Sequence, residues 1–424
     1  MENQFYQEFD WAQLKKSARP TKVDYRTPFQ IDRDRIIHTS AFRSLQNKTQ
    51  VFFSGEYDFY RTRLTHSIEV AQIGRSICTR LLRTSSELDA GFYIDPDLVE
   101  AACLSHDIGH PPFGHTGERT LHRLMKPYGG FEGNAQTLRI LTHTIFTSGR
   151  GMKPTRALVD GVLKYKTLFG EVDDQQNHFL YQEQAEWLDF IVDGEPFPAD
   201  LPAGEHRNGF RSIECQIMDW ADDTAYSVND LADGIHAGFI NIERIEKWAE
   251  NQELDEDGSK QLEVLIQAIR KDRIEGAMGR KIGEFIAAAD LVKIDGFLGK
   301  QSNRHGYRLE IDPRVATICA LYKKLSRDLV FRSQQLQQLD RKSDFILSRL
   351  FEAFAENYME PSSPDAGHFC LLSQEDERQM ASADSEAVRA RLVCDTLARM
   401  TDGVATRTYK RLFDADFGSI VDLV

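Results

Sequence analysis

The chain has 424 residues, more than a usual single-core domain, so two domains or one large helical body are expected. Its formal charge of −14 at pH 7 disfavours a dedicated nucleic-acid-binding protein, and no apolar run approaches the roughly 18 residues that span a bilayer. The six cysteines are scattered, which excludes a zinc knuckle or redox motif and indicates a reducing compartment.

The N-terminal stretch, residues 1–11, is acidic and aromatic and lacks the features of a signal peptide, so we expect a cytoplasmic protein. Basic residues mixed with aspartates follow it. They indicate either an ordinary solvated surface or the local positive pocket that an acidic protein needs to hold an anionic substrate. These basic residues are Arg19, Lys22, Arg26, Arg33, Arg35, Arg43, Lys48, Arg61 and Arg63.

Apolar residues recur at helical spacing along most of the chain, which predicts an all-α fold. Only the short alternation around residues 307–311 suggests a strand, too brief for more than a hairpin. The helical stripes begin at Leu64, Leu98, Leu121, Leu262 and Val315.

The segment HDIGHPPFGHTGE (residues 106–118) directly follows the apolar helix that ends near Leu104. Three histidines, an aspartate and a glutamate interrupted by helix breakers are not expected in a helix that packs in the core. His106 and Asp107 offer consecutive nitrogen and oxygen donors for one cation. Two further donors are His66 and Asp222, each on a predicted helix. A lone histidine on an apolar helix face is usually an ordinary buried residue. The combination of His66 with the other three donors favours a metal ligand instead.

The arrangement H…HD…D resembles the HD superfamily, whose members hold a divalent metal with these side chains. The GHPPFGHxGE extension within residues 109–118 is far more specific than the HD pair. It resembles the bacterial dGTP triphosphohydrolases, as do six other segments. These are DRDRIIH (32–38), LQNKTQVF (45–52), RLTH (63–66), FEGNAQ (131–136), LKY (163–165) and ADD (221–223).

The resemblance implies an HD-domain helical core over residues 20–235 and a helical C-terminal extension over residues 236–424. It also implies hydrolysis of deoxynucleoside triphosphates, with dGTP as the leading candidate, to deoxynucleoside and tripolyphosphate. His66, His106, Asp107 and Asp222 are the expected metal ligands. This donor set favours Mn, while Mg, Fe, Ni and Zn stay open as alternatives.

Further roles follow from the same resemblance. Arg63 and Lys164 match positions that contact phosphate, and His110 is assigned to the triphosphate. His115 is the candidate general acid, with Glu118 orienting its ring. Tyr226 is expected against the sugar, whereas Gln46 and Asp230 are expected to read the 3′ hydroxyl. Ordinary core packing is the alternative interpretation of Tyr226.

Two other functions stay open: another HD nucleotide phosphohydrolase, and a regulator that binds nucleotides or single-stranded DNA. The paired His115 and Glu118 argue against the first, and the acidic charge argues against the second. The expected partners are a dNTP substrate, a dNTP or single-stranded DNA effector, and further copies of the chain in a hexamer or tetramer.

Overall fold

A computed structural model describes residues 3–14, 24–52, 61–146, 150–171, 178–359 and 369–417 of the chain. These residues form nineteen α-helices and one two-stranded antiparallel hairpin. The predicted all-α fold is therefore confirmed. No helix among these residues is long and apolar enough to cross a membrane.

The first half of the chain contains the helices α1 (Glu8–Trp11), α2 (Pro28–Ile37), α3 (Ser40–Ser44), α4 (Arg63–Thr84), α5 (Pro96–Ser105), α6 (Gly114–Met125), α7 (Gly133–Arg139), α8 (Arg156–Val162), α9 (Ala185–Val192), α10 (Glu205–Asn208) and α11 (Ile213–His236). The second half contains α12 (Ile242–Ala249), α13 (Glu256–Arg270), α14 (Ile274–Ala287), β1 (Ala289–Lys293), β2 (Tyr307–Ile311), α15 (Pro313–Ser326), α16 (Gln334–Tyr358), α17 (Gln374–Ala381), α18 (Glu386–Arg399) and α19 (Asp402–Phe413).

The helices α4, α5 and α11 pack on one another and form the centre of the fold. Each starts at a side chain that caps a free backbone N–H group: Thr62 for α4, Asp95 for α5 and Ser212 for α11. Their apolar faces belong to a core of buried side chains that runs from Phe5 to Val330. Of the predicted metal ligands, His66 lies on α4 and Asp222 on α11, while the pair His106 and Asp107 directly follows α5.

A second, smaller core joins α6 to the C-terminal helices. In it α16 packs on α6, α18 and α19, while α18 also contacts α6. Leu121 and Phe113 at the α6 side are buried against Leu347 and Leu350 of α16. The C-terminal region therefore rests on the helix that carries His115. The domain boundary expected near residue 235 stays a prediction.

Most basic residues of the N-terminal half pair with carboxylates outside the site. Arg33 contacts Asp97, Arg26 contacts Asp24, and Arg61 contacts Asp233. Arg19 and Lys22 lie outside the described residues. Among the nine early basic residues, those that the structure describes as buried are Lys48 and Arg63.

Candidate active site

Three of the expected metal ligands converge where α4, α5 and α11 meet. The donor atoms of His66, His106 and Asp107 all lie within 4.8 Å of one another. Asp222 on α11 completes the group, because its Oδ1 lies 3.1 Å from Nε2 of His66 and 3.6 Å from Nε2 of His106. The structure thus brings together all four side chains expected to bind the metal.

His106 is oriented for ligation by the end of its own helix. Its Nδ1 lies 2.6 Å from the Cys103 carbonyl oxygen, and since a carbonyl only accepts, Nδ1 donates the proton. The Nε2 atom is therefore left with its lone pair, buried and without a hydrogen-bond partner among the described residues. A buried nitrogen of this kind between two carboxylates fits a divalent metal ion.

The electrostatics of His106 lead to the same conclusion. Burial disfavours the charged form of its ring, but the carboxylates of Asp107 and Asp222 outweigh burial and raise its pKa. The position between these carboxylates therefore attracts positive charge.

Asp107 is held ionised by groups on three sides. Burial alone would raise its pKa, yet His106, His110 and Arg63 hold the pKa of this carboxyl well below its usual range. Arg63 donates from Nη1 to Oδ2 at 2.7 Å, and Nδ1 of His110 lies 3.0 Å from Oδ1. Asp107 is therefore an anionic ligand with a fixed orientation.

Lys164 lies beside α11, next to the expected metal ligand Asp222. Its ammonium group lies 2.9 Å from both Asp222 and Asp219. Burial opposes the charge, but these two carboxylates raise the pKa of Lys164 well above its ordinary value. Lys164 is thus a permanent cation inside the site.

His115 and Glu118 stand on the first turn of α6, across the cavity from the metal ligands. Pro111 and Pro112 prevent α5 from continuing, and two residues with positive φ, Phe113 and Gly114, turn the chain into α6. Gly114 suits this left-handed conformation because it has no Cβ atom. The turn directs His115 into the cavity, where its side chain is 59% exposed.

Glu118 is fixed on both oxygens. Oε1 accepts the Gly133 N–H at 2.8 Å, and Oε2 lies 3.4 Å from Nδ1 of His115. Burial would raise its pKa, but the contact with His115 and the nearby His110 lower the pKa of Glu118 to about 2. An ionised Glu118 therefore faces the histidine ring, and the rings of His110 and His115 are 5.7 Å apart.

A cavity of about 400 Å³ contains the predicted site residues except Gln46 and Asp230. A second cavity of about 760 Å³ adjoins it and shares with it Gln50, His115, Glu118 and Tyr226. Aromatic side chains line the larger cavity: Phe52, Phe113, Phe239 and Phe331. The site thus has a small polar chamber and a larger chamber of mixed lining with an aromatic part, and the two share Tyr226 among four residues.

Gln46 and Asp230 are not among the lining residues found for these two cavities. Gln46 accepts a hydrogen bond from the Thr62 hydroxyl at 3.3 Å. Asp230 lies on the same face of α11 as Asp222 and Tyr226 but is 1% exposed. Both its carboxylate oxygens lack hydrogen-bond partners among the described residues, and burial raises its pKa well above the ordinary value. Their role in reading the 3′ hydroxyl stays a prediction.

Several residues of the small chamber had no role predicted from the sequence. Gln50 lines both cavities, and its buried Oε1 has no hydrogen-bond partner among the described residues. Its signal was present, since it belongs to the 45–52 segment that carries the family resemblance. Glu132 also lines the chamber, where burial and the nearby Glu118 raise its pKa to about 8. The other unassigned lining residues are Asn134, Tyr165, His178, Asp223 and Lys323.

Comparison with known proteins agrees with this geometry. The HD domain profile matches residues 63–152, and that of the Phosphohydrolase-associated domain matches residues 309–411. A deoxyguanosinetriphosphate triphosphohydrolase-like protein of Shewanella loihica is 36% identical over 440 residues, which cover 94% of this chain and 96% of the relative. A protein of the same name from Haemophilus influenzae is 34% identical, with 95% of this chain and 96% of the relative covered. Another from Pasteurella multocida is 31% identical, with 95% of this chain and 98% of the relative covered. The chain therefore belongs to the family of deoxyguanosinetriphosphate triphosphohydrolase-like proteins, within the metal-dependent HD phosphohydrolases.

Proposed function

We propose that this protein hydrolyses deoxynucleoside triphosphates at the α-phosphorus, releasing a deoxynucleoside and tripolyphosphate. The observation that carries the proposal is the meeting of two cavities that share Tyr226, one polar with a metal-ligand set and one with four phenylalanine side chains in a mixed lining. A triphosphate matches the first and a nucleoside matches the second, so the α-phosphorus would lie between the metal ligands and His115. dGTP is the leading substrate, because the relatives are named for it.

His66, His106, Asp107 and Asp222 would hold the metal, and the mixture of nitrogen and oxygen donors favours Mn²⁺. The chemistry that such an ion supplies is activation of a water molecule and polarisation of a phosphoryl oxygen. Two carboxylates balance the charge of a divalent ion. Further cations are therefore needed to bind a triphosphate.

Arg63 and Lys164 supply this positive charge in the small chamber, and His110, whose pKa burial and Arg63 lower, is proposed to contact the triphosphate as a neutral ring. Arg63 and Lys164 are each held by a carboxylate, which fixes the position of the cation before a substrate arrives. Such pre-organisation lowers the entropic cost of binding a flexible triphosphate. Lys323 also lines the chamber and is a further candidate for a phosphate contact.

His115 is the proposed general acid. Ionised Glu118 faces its Nδ1, so a hydrogen bond from Nδ1 to the carboxylate would orient the ring with Nε2 towards the cavities. His115 can then deliver the Nε2 proton to the departing 5′ oxygen of the deoxyribose. The exposure of its ring to both cavities supports contact with the bond between sugar and phosphate.

Tyr226 is proposed to pack against the sugar and exclude a 2′ hydroxyl. Its ring is parallel to that of Phe331, with centroids 6.2 Å apart, so it forms a rigid wall at the junction of the cavities. A homo-oligomer, a dNTP or single-stranded DNA effector and a cytoplasmic location stay predictions from the family resemblance and the sequence.

The test is product analysis with each dNTP and NTP, in Mn²⁺ and in Mg²⁺. Tripolyphosphate and deoxynucleoside in equal amounts are the expected products. Release of orthophosphate or pyrophosphate would show that a different phosphate bond is cleaved. Hydrolysis of monophosphates alone would contradict the dNTPase proposal and leave only an HD phosphohydrolase of other specificity.

A further inference from the structure

Asp402, the first residue of α19, reaches from the C-terminal region to two segments of the candidate active site. Its Oδ1 accepts the Phe113 N–H at 2.8 Å, and its Oδ2 accepts the Thr49 N–H at 2.9 Å. The Thr49 hydroxyl also donates to Oδ2. Asp402 is 6% exposed, so these hydrogen bonds to a carboxylate are shielded from water.

Lys48 makes a second link beside the first. Its buried ammonium group donates to the His110 carbonyl oxygen at 2.6 Å and to the Ala398 carbonyl oxygen at 2.9 Å. Burial lowers the pKa of Lys48 to about 7, and the carboxylate of Asp402 opposes that decrease. The end of α18 and the start of α19 are thereby tied to residues 110–113.

The segments held in this way carry groups that face the substrate cavities. Phe113 has a φ of 64°, which is unfavourable for a residue with a side chain, and it is the first residue of the turn that directs His115. Thr49 directly precedes Gln50, which lines both cavities. Asp402 contacts the backbone of both segments at once, so it fixes their separation.

α19 does not need Asp402 as its cap, because the Thr401 side chain accepts the Val404 N–H at its start. The carboxylate of Asp402 is instead directed to Thr49 and Phe113. Because Thr401 caps the helix, the carboxylate of Asp402 has a role other than stabilising the start of α19.

We propose that Asp402 is a positioning residue for the hydrolytic reaction: it aligns the turn before His115 with the segment that carries Gln50. The C-terminal region would then be part of the catalytic apparatus without touching substrate. The kinetic part of this inference rests on the proposed function.

The test compares Asp402→Asn and Asp402→Glu with a matched control, Tyr358→Phe. Tyr358 is buried in the same second core, where its hydroxyl bonds Glu377 and accepts the Leu371 N–H at 2.8 Å, remote from both active-site segments. Asn retains the size of Asp402 but replaces one acceptor oxygen with a donor that opposes a backbone N–H. Glu retains both oxygens and restores part of the alignment.

The measurements are kcat and KM per metal-loaded enzyme, the melting temperature, and hydrogen–deuterium exchange of the Thr49 and Phe113 amides. In Asp402→Asn we expect kcat to fall by about 10- to 100-fold, with metal content retained and KM changed much less, because Arg63 and Lys164 keep their own partners. Both amides should exchange faster, and Asp402→Glu should recover part of kcat. Tyr358→Phe should lower the melting temperature with kcat and both amides unchanged.

A kcat within about twofold of the parent in folded, metal-loaded Asp402→Asn would overturn the proposal, as would unchanged exchange at both amides. If Asp402→Asn does not fold, Asp402→Glu decides the question. Faster exchange of the Thr49 and Phe113 amides with an unchanged kcat in this variant would refute the positioning role of Asp402. A parent protein without dNTP turnover would refute the proposed function instead, and the exchange data would still decide whether Asp402 holds the turn.

Discussion

The two walls of the small chamber are built from different parts of the chain. The metal-ligand wall stands on the packed helices α4, α5 and α11, and its charges pair with Arg63 of α4 and with Lys164, which follows α8. The His115 wall stands on the first turn of α6, which depends on a strained turn and on contacts from α18 and α19. The first wall is therefore largely complete within residues 63–222, whereas the second needs the C-terminal region.

The difference suggests a division of labour. A metal site needs several donors at fixed distances, and packed helices supply rigid supports. An acid that meets the leaving group needs access to substrate, which a helix end beside a turn provides. Changes on the first wall should remove the metal, and changes on the second should spare it.

The largest effect is expected on the metal-ligand wall. In Asp107→Ala or His66→Ala the bound metal and the turnover should be lost together, because an open site with four protein ligands tolerates no missing donor. Elemental analysis of the purified variants and a dNTP assay measure both. Full metal occupancy with unchanged turnover in either variant would contradict the ligand assignment.

A matched control is His305→Asn. His305 is a buried histidine paired with Asp160, away from the cavities, so its loss should lower stability and leave the metal content unchanged.

The next effect is expected on the second wall. His115→Ala should retain metal and substrate binding but lose about 10²- to 10⁴-fold in kcat, the usual contribution of a positioned general acid. Single-turnover kinetics with metal analysis provide the measurement. His122→Ala, on the same helix, should keep its kcat because His122 bonds the Phe131 carbonyl rather than facing the cavities. A loss below about threefold in His115→Ala would be too small for the role.

A smaller effect is expected where the two cavities meet. If Tyr226 excludes a 2′ hydroxyl, the parent should prefer dGTP to GTP by more than about 100-fold in kcat/KM, from steric exclusion and unpaired polar groups. Tyr226→Ala should narrow this ratio mainly by raising GTP hydrolysis. Tyr226→Phe keeps the ring and should preserve the ratio. Equal efficiency for dGTP and GTP in the parent would refute the dNTPase proposal.

The smallest effect concerns stability on the second wall. The pKa of Glu132 is raised to about 8 in the folded protein, above the 4.5 of a free side chain, chiefly by burial and then by Glu118. The folded state therefore binds more protons than the unfolded state between these pH values, and this group destabilises the protein increasingly as pH rises through them. The loss is complete above the folded pKa.

Glu132→Gln removes this titration while keeping the side-chain size. The variant should gain stability relative to the parent as pH rises from 5 to 9, by at least about 1 kcal/mol at the upper end. Chemical unfolding at both pH values measures it, with Glu186→Gln, a change at an exposed residue of α9, as the control. A stability difference that does not vary with pH would contradict the raised pKa.

Several elements were predictable because their signals are local. The apolar spacing before His106, around His66 and around Asp222 predicted the helices α5, α4 and α11, since amphipathic periodicity is a property of neighbouring residues. The strand at residues 307–311 was predicted as part of a hairpin, and its partner β1 (Ala289–Lys293) was not. A single short segment does not specify which distant segment it pairs with.

The sequence by itself determined the all-α class, the family resemblance and the four donors expected to bind the metal, because these depend on residue types at short, recognisable spacings. Only the tertiary structure decided which residues share the cavities: Gln50 and Glu132 line them, whereas Gln46 and Asp230 are not among the lining residues found. It alone also joined Asp402 to Thr49 and Phe113. The physical reason is that such contacts bridge hundreds of residues and form only when separate helices pack, so no local pattern encodes them.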